Sequence, residues 1–482
     1  MQEQPSPLLA LHGAVQHYSW GSPSAIPAFL GKAEDGKPYA EVWFGTHPRG
    51  ATRVEAVRPE DEDNSGGAGR TLAAHILTTT RTSLGEAVQN QFGPRLPYLL
   101  KLIAPAGPLS LQVHPTRERA AQGYSEEELR GVPRTHPERS YHDRNHKPEM
   151  LLALEHFEAL AGFRAPRRAA ELLAGLKHPL AAKLRGIIRS RAGATGMRDA
   201  FAYLVQPETR PSPADVDRFA HEVCERLAAR RSPSERTDRI VKKLARNYPG
   251  DPGVVAAMLL NPVTLQPGEA LYVPAGTVHA YLEGFGVEIM ADSDNVLRGG
   301  LTSKHIDVTE MLACVEPTAA PPVRIAPETS GQRTRTYYAP VDDFELCVTP
   351  GGEETRIPGG GPRILLCTEG EVHVRVRPSA AFVAANANGN GNGNGNGGSL
   401  NSLPAAGEST DDVATCALES QDDCVCATEN WGEDPGEEWQ ADDPARPWTA
   451  LRLQRGQAAF VAASCGRVRV SGPGTLIQAG VP

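Results

Sequence analysis

The stretch "LQPGEALYVPAGTVHAY" (265–281) decides the fold class of this chain. It reads as a strand, a Pro-Gly turn, a second strand, a tight turn and a third strand. Short apolar runs alternate with Gly and Pro, the residues that reverse a backbone most readily. No helical period of three to four fits so few residues between breakers. The region is β-rich.

The same texture extends upstream. From 8 to 115, apolar runs such as "YAEVWFG" (39–45) and "LPYLLKLIA" (96–104) are punctuated by Gly and Pro, with helical pieces expected near 72–92. Between 155 and 260 the pattern changes. "RAAELLAGLKHPLAAKLRGII" (168–188) and "DVDRFAHEVCERLAARR" (215–231) space their apolar residues by three and four, which predicts amphipathic helices. Residues 164–246 carry nineteen Lys or Arg against nine Asp or Glu. Spread around helices, such charge reads as a solvated face rather than a nucleic-acid footprint. Strands return after Asn261, and a further β-rich region begins near 321. Its "GPRILLCTEGEVHVRVR" (361–377) and "LRLQRGQAAFVAASCGRVRVSGPGTLIQA" (451–479) look like two halves of one antiparallel sandwich.

Those halves are separated by "AANANGNGNGNGNGGSLNS" (384–402) and an acidic tract reaching to about 447. Gly/Asn repeats have high chain entropy and nothing to bury, so 384–447 is expected to be a disordered loop insertion. It holds thirteen Asp or Glu and one Arg, more than the whole chain's net charge of −9, so the remainder is slightly basic. The eight cysteines form no CxxC pair, which argues against a zinc knuckle and a disulfide framework. No run approaches the roughly 20 apolar residues of a membrane span, and the first residues have no signal-peptide pattern. The expectation is a cytoplasmic protein without membrane or nucleic-acid partners.

Polar residues set inside apolar runs mark the chemistry. In "LSLQVHP" (109–115), Gln112 and His114 are two apart and share a strand face. Glu149 opens an apolar run after Pro148, and His279 follows a Gly turn. An amide oxygen, two imidazoles and a carboxylate suffice for a divalent metal, with Gln an uncommon donor. Each histidine taken singly also fits a satisfied structural role, and His146 competes as a ligand. Downstream, Glu288 sits within a strand while Arg298 and Lys304 flank a Gly-Gly turn. Such cations fit either a phosphate or a loop of ion pairs.

The segments "GAVQHYSWG" (13–21), "EVWFGTHP" (41–48), "LPYLLKLIAPAGPLSLQVHP" (96–115), "NHKPEM" (145–150), "PAGTVHAYLEGFGVEIMADSDNVLRGGLTSKHID" (274–307) and "RGQAAFVAA" (455–463) together resemble the type I mannose-6-phosphate isomerases, in that family's order. The resemblance implies a mainly β fold: two cupin-type (jelly-roll) β-sandwiches with an inserted α-helical domain. It places the catalytic cupin at 1–154 and 261–320, the helical domain at 155–260, and a second cupin-like domain at 321–482. It implies one zinc ion held by Gln112, His114, Glu149 and His279, which selects Glu149 over His146. It points to Arg298, Glu288 and Lys147 as catalytic, to Ser110 and Lys304 at the substrate's phosphate, and to Lys101 and Trp20 near the pocket. The implied reaction interconverts mannose 6-phosphate and fructose 6-phosphate through an enediolate, in a monomer. On the residues alone, a cupin dioxygenase using His114, His279 and Glu149, or a non-catalytic sugar-binding cupin, stays open as an alternative.

Overall fold

Two central sheets of this protein are buried on both faces, and that follows from strands with no polar alternation. Tyr98–Ile103, Glu149–Ala153 and Gly286–Ala291 in one sheet, and Glu345–Thr349 and Ala458–Val461 in the other, are buried at every position. A strand covered on one side only would alternate. The computed structural model describes residues 6–56, 70–191, 193–331, 333–357, 359–379 and 448–482. The expected insertion, 384–447, lies outside these residues.

Every strand pairing among the described residues is antiparallel, and the strands form four sheets. A five-stranded sheet runs in the order Leu297–Gly300, Leu111–Val113, His279–Glu283, Phe157–Phe163, Leu260–Leu265. It faces a seven-stranded sheet ordered Val323–Ile325, Ala270–Val273, Glu149–Ala153, Gly286–Ala291, Tyr98–Ile103, Glu41–Phe44, Ala14–Gln16. One apolar cluster joins them, with Leu151 and Val273 meeting Ala159 and Val263. The other face of the seven-stranded sheet packs on an eight-stranded one through Leu100 and Ile289 against Leu366 and Phe460. A four-stranded sheet (Gly352–Ile357, Cys465–Gly472, Glu371–Pro378, Thr449–Gln454) covers the far side of the eight-stranded sheet through Val374 and Val470. The eight-stranded sheet includes Leu8–His12 and Arg53–Ala56 beside strands from the C-terminal part of the chain.

The helices of the middle region coat the outer face of the five-stranded sheet, where Leu111, Leu160 and Ala280 meet Phe201 and Leu244. They leave after Phe157–Phe163 and return at Leu260–Leu265, two strands that pair with each other. Local chemistry sets their ends. In Pro213–Ala228 the Ser212 side chain accepts from the Asp215 amide, Pro213 opens the first turn, and Val216, Phe219, Ala220 and Val223 form the buried stripe. The long amphipathic run near 168–188 divides because Pro179 cannot continue a helix but starts one well. Near 72–92 three short helices stand where helical pieces are expected. Arg117–Leu129 is a helix that apolar spacing does not announce, since its buried face is only Ala120, Gly123, Tyr124 and Glu127.

Among the described residues no helix is long and apolar enough to cross a membrane. The fold is therefore sheet-rich and mixed, with helices confined to one outer layer and to short connections.

The stacked sheets make a prediction about where stability resides. Phe460, fully buried between the two central sheets, should cost about 3–5 kcal/mol when replaced by Ala. Leu129, 88% exposed, should cost less than about 0.5 kcal/mol. Urea midpoints of the two variants measure the difference, and similar midpoints would contradict the stacked core.

Candidate active site

Cross-strand register builds the site. In the five-stranded sheet Gln112 lies opposite His279 on one side and Arg298 on the other. Directly opposed residues share a face, so these three project together. Leu111 and Val113 point the other way, into the helical layer. In the seven-stranded sheet Glu288 is opposite Lys101, and Lys101 is opposite Trp43. That row faces the first across a cavity of about 340 Å³, within the range of small-ligand sites.

Nine of the residues singled out from sequence line this cavity: Trp20, Lys101, Ser110, Gln112 and Lys147, with Glu149, Glu288, Arg298 and Lys304. His114 and His279 do not line it themselves and are 1% and 0% exposed. With Glu149 they form a buried cluster whose potential ligand atoms all lie within 4.8 Å of one another. His146 is elsewhere, with its Nε2 2.9 Å from the Asp343 carboxylate and 2.6 Å from the Arg117 guanidinium.

The donor set fits a metal ion on the evidence of its own hydrogen bonds. The Nδ1 of His114 donates to the Asn295 carbonyl at 2.8 Å, and that of His279 to the Thr277 carbonyl at 2.9 Å. Each ring therefore turns a lone pair on Nε2 towards Glu149. These Nε2 atoms lie 3.2 and 3.3 Å from the Glu149 oxygens. Yet both Nε2 atoms and Glu149 Oε2 are buried without any hydrogen-bond partner. Three orphaned buried atoms aimed at one point are costly unless a cation joins them. Burial pushes His114 down to about 4, against the pull of Glu149. Its imidazole is neutral at ordinary pH, the form that ligates. Burial alone would raise Glu149, but His114 and Lys147 outweigh it and hold the carboxyl well below its ordinary range. Gln112 stands opposite His279 in register and lines the cavity wall.

Beside this cluster lies a chain of buried charges. Lys101 Nζ donates to Glu288 Oε2 at 2.9 Å and lies 3.8 Å from Glu41 Oε1. Glu41 accepts from the Trp43 indole N–H at 2.7 Å. Burial raises Glu288 above its ordinary value, Lys101 opposes this, and Glu149 and Glu41 reinforce it. Lys147 Nζ is 3.2 Å from Glu149 Oε1. At the mouth, burial and the neighbouring Arg49 lower Arg298, while burial, Arg298 and Arg49 lower Lys304. Arg49 pairs with Asp294. Among the described residues neither Arg298 nor Lys304 has a carboxylate within ion-pair distance. Unneutralised cations crowded at one rim suit a multiply charged anion.

Sequence reasoning passed over Glu41, Tyr281 and Asp294, all of which line the cavity. Glu41 had a signal of its own, a carboxylate opening the apolar run "EVWF". Tyr281 had none, since a tyrosine in a strand reads as ordinary core.

Comparison with known proteins agrees with this arrangement. The profile described as "Phosphomannose isomerase type I, catalytic domain" matches residues 8–166. The mannose-6-phosphate isomerase of Salmonella typhimurium (strain LT2) is 36% identical over 373 residues, covering 76% of this chain and 90% of the relative. The Homo sapiens mannose-6-phosphate isomerase is 32% identical over 376 residues, covering 72% and 81%. A crystal structure of mannose 6-phosphate isomerase bound with zinc and yttrium superposes with a TM-score of 0.74 at 29% identity, over 99% of this chain and all of the other. Identity at this level across nine-tenths of a relative's length leaves one conclusion: the chain belongs to the type I phosphomannose isomerase family.

Proposed function

We propose that this chain is a zinc-dependent aldose–ketose isomerase that interconverts mannose 6-phosphate and fructose 6-phosphate. The carrying observation is that the orphaned His114–Glu149–His279 cluster meets, through Glu149, the same cavity that the unneutralised Arg298 and Lys304 line. One end suits a metal and the other a phosphate, with a buried carboxylate, Glu288, between two sheets. Gln112, His114, Glu149 and His279 would hold the zinc. Bound there, zinc supplies positive charge against the negative charge that develops on the sugar's C1 and C2 oxygens.

The protein's own groups do the rest. Lys304 and Ser110 hold the phosphate of the open-chain sugar, and Trp20 closes the wall beside it. Glu288 takes the proton from C2 and returns it to C1, while the O2 hydroxyl loses a proton and O1 gains one, so no co-reactant is needed. Lys101 holds Glu288 in place and in its charged form. Arg298 faces the developing enediolate from the opposite sheet, and Lys147 keeps Glu149 ionised. The protein acts in this reading as a cytoplasmic monomer on a small sugar phosphate, with no nucleic-acid or membrane partner.

The fold reading that accompanies it makes the paired sheets two cupin-type jelly rolls. The first is carried by 1–154 and 261–320, with 155–260 as an inserted helical domain. The second is carried by 321–482, interrupted by 384–447, and borrows Leu8–His12 and Arg53–Ala56. The facing apolar clusters and the paired strands on either side of the helices support it.

Conversion of mannose 6-phosphate by the zinc-loaded protein is the direct test, and its absence would overturn the proposal. Glu288→Gln should keep zinc and lose turnover by about 10² or more. His114→Ala should lose zinc and activity together. Metal content set beside rate separates the two, and a Glu288→Gln enzyme with normal proton exchange at C2 would remove Glu288 from its role.

A pH profile adds a signed test. Glu288 works as a carboxylate, so kcat/KM falls as pH drops through its raised pKa. Glu41→Gln removes one of the neighbouring charges that raise it, and the acid limb should move to lower pH. A limb that stays in place would detach Glu288 from the profile.

A further inference from the structure

Asn295 is fully buried and uses every hydrogen-bonding group it has. Its carbonyl accepts from His114 Nδ1 at 2.8 Å. Its backbone amide donates to Ser293 Oγ at 3.2 Å. The side-chain Oδ1 accepts from the His142 and Asp143 amides at 2.8 and 3.3 Å. The side-chain Nδ2 donates to the Asp143 carbonyl at 2.9 Å, to Asp143 Oδ1 at 3.2 Å and to the Asn145 carbonyl at 2.9 Å. Two N–H groups face one end and three oxygens the other, so the amide has one sensible orientation.

These bonds tie two turns together. Residues 142–145 lead directly into Lys147 and Glu149, and residues 292–295 lead into Arg298. Asp143 strengthens the knot by accepting from Ser293 Oγ at 2.9 Å and the Asp294 amide at 2.7 Å. Asn145 Nδ2 reaches the Asp292 carbonyl at 3.3 Å. One residue thus grips a ligand histidine through its backbone and the approach to the ligand carboxylate through its side chain. Neither segment is regular strand at this point, so no ladder of backbone hydrogen bonds fixes their separation.

We propose that Asn295 is the positioning residue of the metal site, setting the spacing between His114 and Glu149 through the 142–145 turn. The proposal rests on reading the His114–Glu149–His279 cluster as a zinc site. Asn295 touches neither substrate nor metal; it orients groups that do. Partners one step behind the ligands commonly change metal affinity about 10- to 100-fold when altered.

Asn295→Asp isolates the effect. It keeps the shape and both acceptor contacts but turns a carboxylate towards the Asp143 and Asn145 oxygens. Zinc dissociation, measured by competition with a chelator, should weaken by about 10- to 100-fold. The visible spectrum of the cobalt-substituted protein should change, because ligand geometry changes. A purely structural role would lower the thermal midpoint of the metal-free protein and leave the cobalt spectrum of the folded fraction unaltered.

Wild-type zinc affinity and an unaltered cobalt spectrum in Asn295→Asp would overturn the proposal. Should that variant fail to fold, Ser293→Ala removes only the hydroxyl bridging Asp143 and the Asn295 amide. Weaker zinc binding with an unchanged metal-free midpoint supports the proposal there, and unchanged binding overturns it. A wild-type protein that binds no zinc would instead overturn the reading of the cluster itself.

Discussion

Charge balance between two sheets is the constraint on which this structure depends. Glu41, Glu149 and Glu288 are 6%, 3% and 3% exposed, and Lys101 and Lys147 are 6% and 8% exposed. Among these most deeply buried groups three carboxylates face two ammonium groups, and Arg298 and Lys304 line the same cavity. Uncompensated charge away from water is expensive, and a lone buried carboxylate would protonate or open the structure to solvent. A divalent cation among His114, Glu149 and His279 would join donor atoms that are otherwise orphaned. Glu288, the proposed acid–base residue, and the His114–Glu149–His279 cluster therefore form one electrostatic system. Burial raises Glu288, and Glu149 raises it further.

Antiparallel register makes such a system possible. Gln112, His279 and Arg298 form one row, and Glu288, Lys101 and Trp43 another. A slip of one residue in either sheet would turn its row into the apolar layer behind. Thick packing on both sides prevents that slip. Helices cover the five-stranded sheet and the eight-stranded sheet covers the seven-stranded one.

Legibility in the sequence followed local physics. Turn residues announced the strands, and apolar spacing announced helices such as Pro213–Ala228. The helix Arg117–Leu129 escaped because its packing face is made of Ala, Gly, Tyr and a buried Glu127 that accepts from the Ser140 and Tyr141 amides. Polar residues set in apolar runs or beside the Gly-Gly turn pointed to Gln112, Glu149, Glu288, Arg298 and Lys304 and to the two histidines, whereas Trp20, Lys101, Ser110 and Lys147 were found only through the family resemblance. Asn295 could not be found this way. It stands in the polar stretch "ADSDNVLRGG" (291–300), where an Asn looks like loop, and its weight comes from partners at 142–145 that are 150 to 153 residues away in the chain.

The sequence by itself determined that this is a sheet-rich chain with a helical middle, and that Gln112 and His114 share a direction, because alternation and turn chemistry act over a few residues. It also held the residues that mark the family. Residue spacing left His146 and Glu149 as rivals that only the family resemblance separated, and the tertiary structure turns His146 to Asp343 while Glu149 meets the histidines. It decided too that Lys101 sits between two carboxylates rather than in core. Those outcomes depend on which strands become neighbours and in what register. Burial and charge act through space, and their balance exists only once the sheets have closed on each other.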